Sequence, residues 1–253
     1  MGVSEGSLDR NNPTSPLDRL SALSDAQFIG LISLLCVAAY LPGWDNGFIA
    51  DDLVLLDGSN PFGGSITRPF EFDSSQYFRL TSYFAFGALK YSIGYQAWAL
   101  YAFTTFLHFV NAVLVFFLLL RLGLDRSTAG VSALMFAVVV YGDEAVLWLA
   151  GMNESLMTFG LLSAFLLWIR GKYAASALFY CFALISKEAA PIILPLIVLV
   201  EWARGSRLRF ETRYLYLLVP TAVFGGAFLF LLGSNSIVGY GRFSFNLDAV
   251  GVM

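Results

Sequence analysis

Charged residues are scarce in this chain. Asp, Glu, Lys and Arg make up 13% of its 253 residues and hydrophobic residues 58%, against about 25% and about 45–50% in a typical soluble domain. A soluble protein of this size cannot bury so much apolar surface in one core. With a mean hydropathy of +0.71, the composition excludes a soluble enzyme and a disordered chain. The net charge of −3, without a basic patch, also excludes a nucleic-acid-binding protein.

Histidine and cysteine are nearly absent as well. The sequence contains one histidine, His108, and two cysteines, Cys36 and Cys181. A single histidine excludes a His-based metal site within this chain. Both cysteines lie inside apolar runs, so neither is predicted to form a disulfide or to bind a metal.

Continuous apolar sequence is abundant. An outer-membrane barrel would instead alternate apolar and polar residues over strands of about 10 residues. A membrane-spanning helix needs about 20 mainly apolar residues, and seven runs come near this length. They predict an all-α integral membrane protein, a polytopic bundle of about seven transmembrane helices. The runs are 27–44, 97–120, 127–140, 155–169, 173–186, 189–203 and 214–233.

Segment 77–94 is apolar and aromatic, but Arg79 and Lys90 interrupt it. The stretch between these cations is too short to span, so we predict an interfacial helix whose cations reach the headgroups. The preceding segment, 45–76, is predicted to be an acidic first outer loop. Residues 1–26 are predicted to be a polar cytoplasmic tail and not a secretory signal, because no basic stretch abuts the first run. Residues 27–253 then form one transmembrane domain.

The distribution of cations predicts the topology. Eight of the fifteen Lys and Arg residues lie in three alternate turns, after the second, fourth and sixth runs. The positive-inside rule places these turns in the cytoplasm. We therefore predict a multi-pass protein of the plasma membrane (the inner membrane in a bacterium), with a cytoplasmic N-terminus and a non-cytoplasmic acidic loop. This orientation requires that 77–94 does not span, because the cations divide ten to five in either case.

Two adjacent carboxylates, Asp51 and Asp52, follow the first run in the sequence NGFIADD. One such carboxylate can take a proton from an acceptor hydroxyl as a general base. The pair can also hold a divalent cation through its oxygens. A solvated acidic loop is the alternative interpretation of the same residues.

Other polar residues interrupt apolar sequence on the predicted outer side. Glu144, Asn153 and Glu154 lie near a helix boundary, where acids are often only caps or dipole partners. Lys187 and Glu188 lie between two apolar runs, where charges are costly unless they are paired or functional. Lys187 can hold a lipid phosphate as a point charge, or it can pair with Glu188 or Glu144.

His108 and Asn111 are three residues apart and therefore share one helix face. Inward polar residues in a membrane bundle more often join helices than catalyse reactions. The spacing favours a structural role for both side chains.

Four ordered sequence blocks resemble the GT-C superfamily of membrane glycosyltransferases, and within it the branch of protein O-mannosyltransferases and transmembrane-and-TPR proteins. The first block, NGFIADD at 46–52, is similar to the family's NGFxxDD. The second, FRLTS at 78–82 followed by LHFVNAVL at 107–114, is similar to YRPLTS and LHLLNALL. EAVLWLAGMNE at 144–154 is similar to EAVAWISGRxE, and LISKE at 184–188 is the fourth block.

The resemblance implies an enzyme that moves a sugar, with inversion, from a polyprenyl-phosphate donor to a protein or glycan hydroxyl outside the cytoplasm. It implies that the first outer loop carries an amphipathic helix and the catalytic aspartate, which would be Asp51 with Asp52 beside it. Lys187 and Arg79 would be candidate phosphate partners. The other candidate substrate-binding residues are Glu144, Asn153, Glu154 and Glu188.

The sequence also departs from the family. Met152 stands where an arginine is usual, and the chain ends where another helix would be expected, which predicts a fragment or a shortened member. The second hypothesis is therefore a non-catalytic GT-C-like subunit of a larger membrane complex. A transporter is the weakest hypothesis, because the ionisable residues lie at predicted helix ends and no internal repeat is visible.

Overall fold

The structure is a computed structural model that describes residues 22–49, 52, 80–139, 142–205 and 211–233. Within these ranges every regular element is a helix, so the predicted all-α class is confirmed for this part of the chain. Most of the predicted tail and most of the predicted acidic loop lie outside the described residues. Asp51 and Arg79 also lie outside them.

Each of the seven predicted apolar runs contains a helix. These are α1 (Asp25–Tyr40), α3 (Ala97–Leu122), α4 (Arg126–Ala137), α6 (Met152–Ile169), α7 (Tyr173–Leu184), α8 (Ile193–Ala203) and α9 (Leu215–Gly233). Two more helices are α2 (Leu80–Ile93), inside the predicted interfacial segment, and the short α5 (Gly142–Val146). Single 3₁₀ turns precede or follow several helices, at Leu41–Asp45, Leu149–Gly151, Ala190–Ile192 and Thr212–Tyr214.

Among the described residues, four helical stretches are long and apolar enough to cross a membrane. They are Asp25–Asp45, Ala97–Leu122, Leu149–Ile169 and Thr212–Phe230. Tyr173–Leu184 and Ala190–Ala203 are apolar but shorter. These helices support an integral membrane protein, while a total of about seven spans stays a prediction.

Local signals explain where several helices begin and end. Ser24 starts α1 with a capping box, in which its hydroxyl accepts from the N–H of Gln27 and the Gln27 side chain accepts from the N–H of Ser24. Gly123 ends α3 with a φ of 96°, a left-handed conformation that glycine adopts without strain. Asp125 then caps α4 by accepting from the N–H of Thr128 at 3.0 Å.

Close helix packing depends on small residues, as is common in membrane bundles. A Cβ atom on Gly130 of α4 would lie 2.1 Å from the Phe28 ring of α1. A Cβ atom on Gly160 of α6 would lie 2.9 Å from the backbone oxygen of Phe179 in α7. Helix α3 packs against α1, α4 and α6, and α7 packs against α6 and α9. The core therefore runs along α3, α6 and α7.

The helices gather polar residues at two opposite ends of the bundle. We call one the loop end: residues 41–49, Asp52, the start of α2, and segments 142–154 and 185–188. The other, the basic end, comprises residues 121–126, 168–173, 201–205 and 211–214. At the basic end, Arg204 donates to the backbone oxygen of Arg121 at 2.7 Å, and Arg213 donates to the Tyr173 hydroxyl at 3.2 Å. These bonds join the three cation-rich turns at one end, as the alternate spacing predicts.

Candidate functional site

The loop end contains a buried carboxylate, that of Asp52, which is 0% exposed. Its Oδ2 accepts from the N–H of Ile49 at 2.9 Å, and its Oδ1 accepts from the N–H of Ala150 at 3.0 Å. The Asp52 N–H also donates to the Ile49 oxygen at 3.0 Å. A buried charge is costly unless donors surround it. Asp52 therefore fastens the segment after α1 to the Leu149–Gly151 turn.

The turn that receives Asp52 is held against α5. A Cβ atom on Gly151 would lie 2.0 Å from the backbone oxygen of Glu144, so only glycine allows this approach. The Thr104 hydroxyl of α3 donates to the backbone oxygen of Val146 at 2.6 Å. These contacts fix the backbone that presents the Ala150 N–H to Asp52.

An ion pair joins α6 to the segment after α7. The Lys187 ammonium pairs with the Glu154 carboxylate, and the two side chains are 21% and 41% exposed. Glu154 is a partner that the sequence analysis does not name for Lys187. The reason for this pairing is the antiparallel packing of α6 on α7, which sets the first turn of α6 beside the end of α7.

Helix α2 is fastened to the same place. The Thr81 hydroxyl donates to the Ser186 hydroxyl at 2.9 Å, and the Ser186 hydroxyl donates to the backbone oxygen of Phe182 at 2.7 Å. The Thr81 N–H also donates to the Ile185 oxygen at 3.4 Å. These bonds therefore hold the start of α2 against Ser186, the residue that directly precedes Lys187. Arg79, the predicted phosphate partner two positions before Thr81, lies outside the described residues.

Asn153 adds a buried side-chain amide to the site. Its Nδ2 donates to the backbone oxygen of Ala150 at 3.1 Å, which steadies the turn that holds Asp52. Its Oδ1 is buried and has no hydrogen-bond partner among the described residues. A buried acceptor of this kind is ready to take a hydrogen bond from a hydroxyl.

The two residues predicted to be structural, His108 and Asn111, lie between helices. Asn111 Nδ2 donates to the backbone oxygen of Ser155 at 3.0 Å, joining α3 to α6. The His108 ring stacks on Phe136 of α4 at 5.1 Å between centroids and meets the Tyr40 ring edge-on at 5.2 Å. Both are buried, and these contacts are those of inter-helix packing.

The remaining candidates are less constrained. Glu144 is exposed, and Glu188 is half-buried. No group of three or more His, Cys, Asp or Glu residues that could hold a metal occurs in the described ranges. Both Asp52 oxygens already accept backbone hydrogen bonds, so a cation at Asp51 and Asp52, which stays a prediction, would depend mainly on Asp51.

Several residues of the site escaped the sequence analysis. Thr81 and Ser186 lie within the recognised blocks, yet nothing in their spacing shows that they meet. Gly151 carried the clearest overlooked signal, because glycine is the usual residue where the backbone is approached closely. The Ala150 N–H carried no signal at all, since every residue except proline has one.

The chain was also compared with known protein families, with curated proteins and with solved structures, and none of them matches. A functional conclusion therefore depends on the residues and contacts described above.

Proposed function

We propose that this chain is a membrane glycosyltransferase of the GT-C type, which moves a sugar from a polyprenyl-phosphate donor to an acceptor hydroxyl. The observation that carries the proposal is the meeting of all four sequence blocks at the loop end. Asp52 of the first block bonds to Ala150 of the third, 98 residues later. Thr81 of the second block bonds to Ser186 of the fourth, 105 residues later. A solvated acidic loop would require no such convergence.

The third block is linked to the fourth by the ion pair of Glu154 with Lys187. Asn111 of the second block donates to the backbone oxygen of Ser155, the residue that directly follows the third block. Each block thus contributes at least one fixed contact to the same region, as a shared substrate site requires.

We assign different roles to the two aspartates. Asp52 is the positioning residue, because both of its oxygens are engaged by backbone N–H groups. Asp51 is the base. The acceptor oxygen forms a bond to the anomeric carbon while its proton passes to Asp51. The bond from that carbon to the phosphate oxygen breaks, and the lipid phosphate leaves with the electron pair, which inverts the configuration.

Lys187 is the proposed phosphate partner. Its ammonium reaches the surface, and its carboxylate partner Glu154 is the more exposed of the two. A phosphate arriving from solvent or lipid can therefore take a place on the ammonium without burying either charge. The unpartnered Oδ1 of Asn153 is suited to accept from a sugar or acceptor hydroxyl beside it.

We further propose that α2 lies in the membrane interface. Its 14 residues extend only about 21 Å at about 1.5 Å per residue, short of the roughly 30 Å hydrocarbon core. Thr81 fixes its start at the loop end, and Phe86 packs among Tyr101 and Met152 near the same end. With α2 in the interface, the basic end faces the cytoplasm and the loop end faces outward.

The test compares two aspartate substitutions in segment 45–76, Asp51→Asn and the control Asp57→Asn. Purified protein in nanodiscs is given radiolabelled polyprenyl-phosphate hexoses with hydroxyl-bearing peptides and oligosaccharides, and labelled product is counted. Loss of a general base costs about 10²–10⁴-fold in rate, so Asp51→Asn should lose at least about 100-fold while Asp57→Asn keeps its rate. Equal rates for wild type and Asp51→Asn would overturn the assignment.

Donor binding is tested separately, by retention of undecaprenyl phosphate in native mass spectra. Lys187→Gln should weaken retention, whereas Lys90→Gln, which removes a cation from α2 away from the ion pair, should not. Unchanged retention in Lys187→Gln would remove the phosphate role. If no hexose is transferred and no lipid phosphate is retained, the non-catalytic subunit becomes the better account of this fold.

A further inference from the structure

A second polar site lies at the basic end, opposite the proposed active site. A cavity of about 370 Å³ opens between the α6–α7 turn, α8 and the start of α9. Three arginines line it, Arg170, Arg204 and Arg213, against one carboxylate, that of Glu201. The proposed glycosyl transfer uses none of these residues.

The carboxylate of this cavity is already fully engaged. Glu201 Oε1 accepts from the Trp168 indole at 2.9 Å, and its Oε2 accepts from the Tyr214 hydroxyl. Arg213 pairs with Glu201 at 3.4 Å and with Glu211 at 3.0 Å. The charge of Arg213 is therefore balanced inside the cluster, and its place there is structural.

The other two arginines are not balanced. Arg170 and Arg204 are exposed, and neither forms an ion pair with any carboxylate in the described part of the chain. Arg204 donates to the Arg121 backbone oxygen at 2.7 Å, but a neutral carbonyl leaves the positive charge uncompensated. The cavity thus presents two guanidinium groups whose planar forks match phosphate oxygens.

The surroundings of the cavity suit a lipid. It lies where the candidate spans Leu149–Ile169 and Thr212–Phe230 have their polar ends, beside Trp168 and Tyr173, the aromatic types enriched at membrane interfaces. Only 6% of the most apolar 18-residue window of the second span is buried within the protein. A headgroup in the cavity would therefore leave apolar helix surface beside it for acyl chains.

We propose that this cavity binds the phosphate group of an anionic phospholipid, with Arg170 and Arg204 as its ligands. Basic pockets between helices at the membrane surface recognise lipid headgroups in this way. The site is distinct in place and in residues from the Lys187 site, so the proposal stands or falls independently of glycosyl transfer.

The experiment measures lipid retention by native mass spectrometry of the full chain, titrated with phosphatidylglycerol or with phosphatidylcholine. The test variant is the double substitution Arg170→Gln with Arg204→Gln. The control is Arg121→Gln with Lys172→Gln, which removes two exposed charges of the same end from side chains outside the cavity lining. Because the two guanidinium groups are the proposed ligands of the phosphate oxygens, the test variant should bind phosphatidylglycerol at least about tenfold more weakly.

The control should lose less than about threefold, because its side chains do not line the cavity and act on the headgroup only through charge that salt screens. Phosphatidylcholine should bind weakly to every form. Equal losses in the two double variants would overturn the site, because they would show only diffuse attraction by a basic surface. Equal binding of the two lipids would overturn the requirement for an anionic headgroup. Should the double variant not fold, judged by its melting temperature, Arg170→Gln alone answers the question, since this exposed side chain makes no described ion pair.

A soluble phosphate has the same chemistry as a headgroup, and a second arm separates the two. Inorganic phosphate or glycerol 3-phosphate is added at millimolar concentration to the lipid-loaded protein. Phosphatidylglycerol should stay bound, because its acyl chains add apolar contact that the soluble anions lack. Displacement at these concentrations would assign the cavity to a soluble phosphate and overturn the lipid.

Discussion

The two ends of the bundle use their carboxylates in different ways. At the loop end, Asp52 bonds to the backbone N–H groups of Ile49 and Ala150 and is completely buried. At the basic end, Glu201 bonds to three side chains, and neighbouring arginines stay exposed and unbalanced. Backbone donors fix the position of a chain segment, whereas unbalanced arginines attract a mobile anion. The contacts at the loop end therefore fix the position of the backbone, whereas the exposed arginines at the basic end are suited to attract an anion.

The largest effect is expected when the buried carboxylate of the loop end is removed. Asp52→Ala leaves the N–H groups of Ile49 and Ala150 without their acceptor. A buried donor left without a partner costs about 1–3 kcal/mol, so the two together cost about 2–6 kcal/mol. We expect that loss in the free energy of unfolding, measured by titration with sodium dodecyl sulfate in mixed micelles. The control is Asp45→Ala, an exposed aspartate of the same segment, which should change stability by less than about 0.5 kcal/mol. Equal losses would show that Asp52 does not anchor the loop.

The next largest effect should come from the turn that receives Asp52. Gly151→Ala places a Cβ atom 2.0 Å from the Glu144 oxygen, and such overpacking costs about 2–3 kcal/mol. The matched control is Gly226→Ala in α9, where a Cβ atom would have no neighbour within 4 Å outside the local helix backbone, so alanine should be neutral or stabilising there. The same unfolding measurement compares them. A Gly151→Ala protein as stable as the control would mean that this backbone contact is adjustable.

Much of the helical framework was predictable, because a helix in lipid must satisfy its own backbone and so appears as a continuous apolar run. All seven runs contain helices, and the cation-rich turns meet at one end as their alternation indicates. Helix lengths were less predictable. Helices α7 and α8, on either side of the fourth block, are examples. Helix α7 ends at Leu184, and a 3₁₀ turn at Ala190–Ile192 precedes α8, so both helices are shorter than a full span.

The sequence names several residues that lie together at the loop end, but it does not indicate how they pair. Glu154 became the partner of Lys187 through the packing of α6 on α7, which no local pattern reports. The cluster of Glu201 and Arg213 was missed for a different reason. The spacing of the cations in the alternate turns predicts only the topology. A cavity depends on how three elements meet, which the spacing within any one of them does not show.

A smaller effect is expected from the carboxylate of the basic end. Glu201→Gln removes the charge that the Trp168, Tyr214 and Arg213 side chains share, and we expect a loss of about 1–2 kcal/mol, in line with hydrogen bonds to a charged group. Glu211→Gln removes the other carboxylate on Arg213, but its side chain is 52% exposed, and exposed pairs contribute about 0–1 kcal/mol. A larger loss for Glu211→Gln would reverse the roles given to these two carboxylates.

The smallest effect is expected from Asp125, which caps α4 at the basic end. Like Asp52, its carboxylate accepts from a backbone N–H, but Asp125 is exposed to solvent. The Thr128 hydroxyl donates to the Asp125 carboxylate at 2.6 Å, and the Thr128 N–H donates to it at 3.0 Å. These bonds hold the pKa of Asp125 below its ordinary value, and the bond from the hydroxyl has the larger effect. A lowered carboxyl pKa stabilises the fold at pH above the unfolded pKa of about 3.9, and that stability is lost as the pH falls through the folded value. The difference in melting temperature between wild type and Asp125→Asn should therefore shrink below about pH 4. Thr128→Val, which keeps the backbone donor alone, should give a weaker pH dependence. A difference that stayed constant from pH 7 to pH 3 would show that the cap acts without its charge, and the likeness to Asp52 would then extend only to geometry.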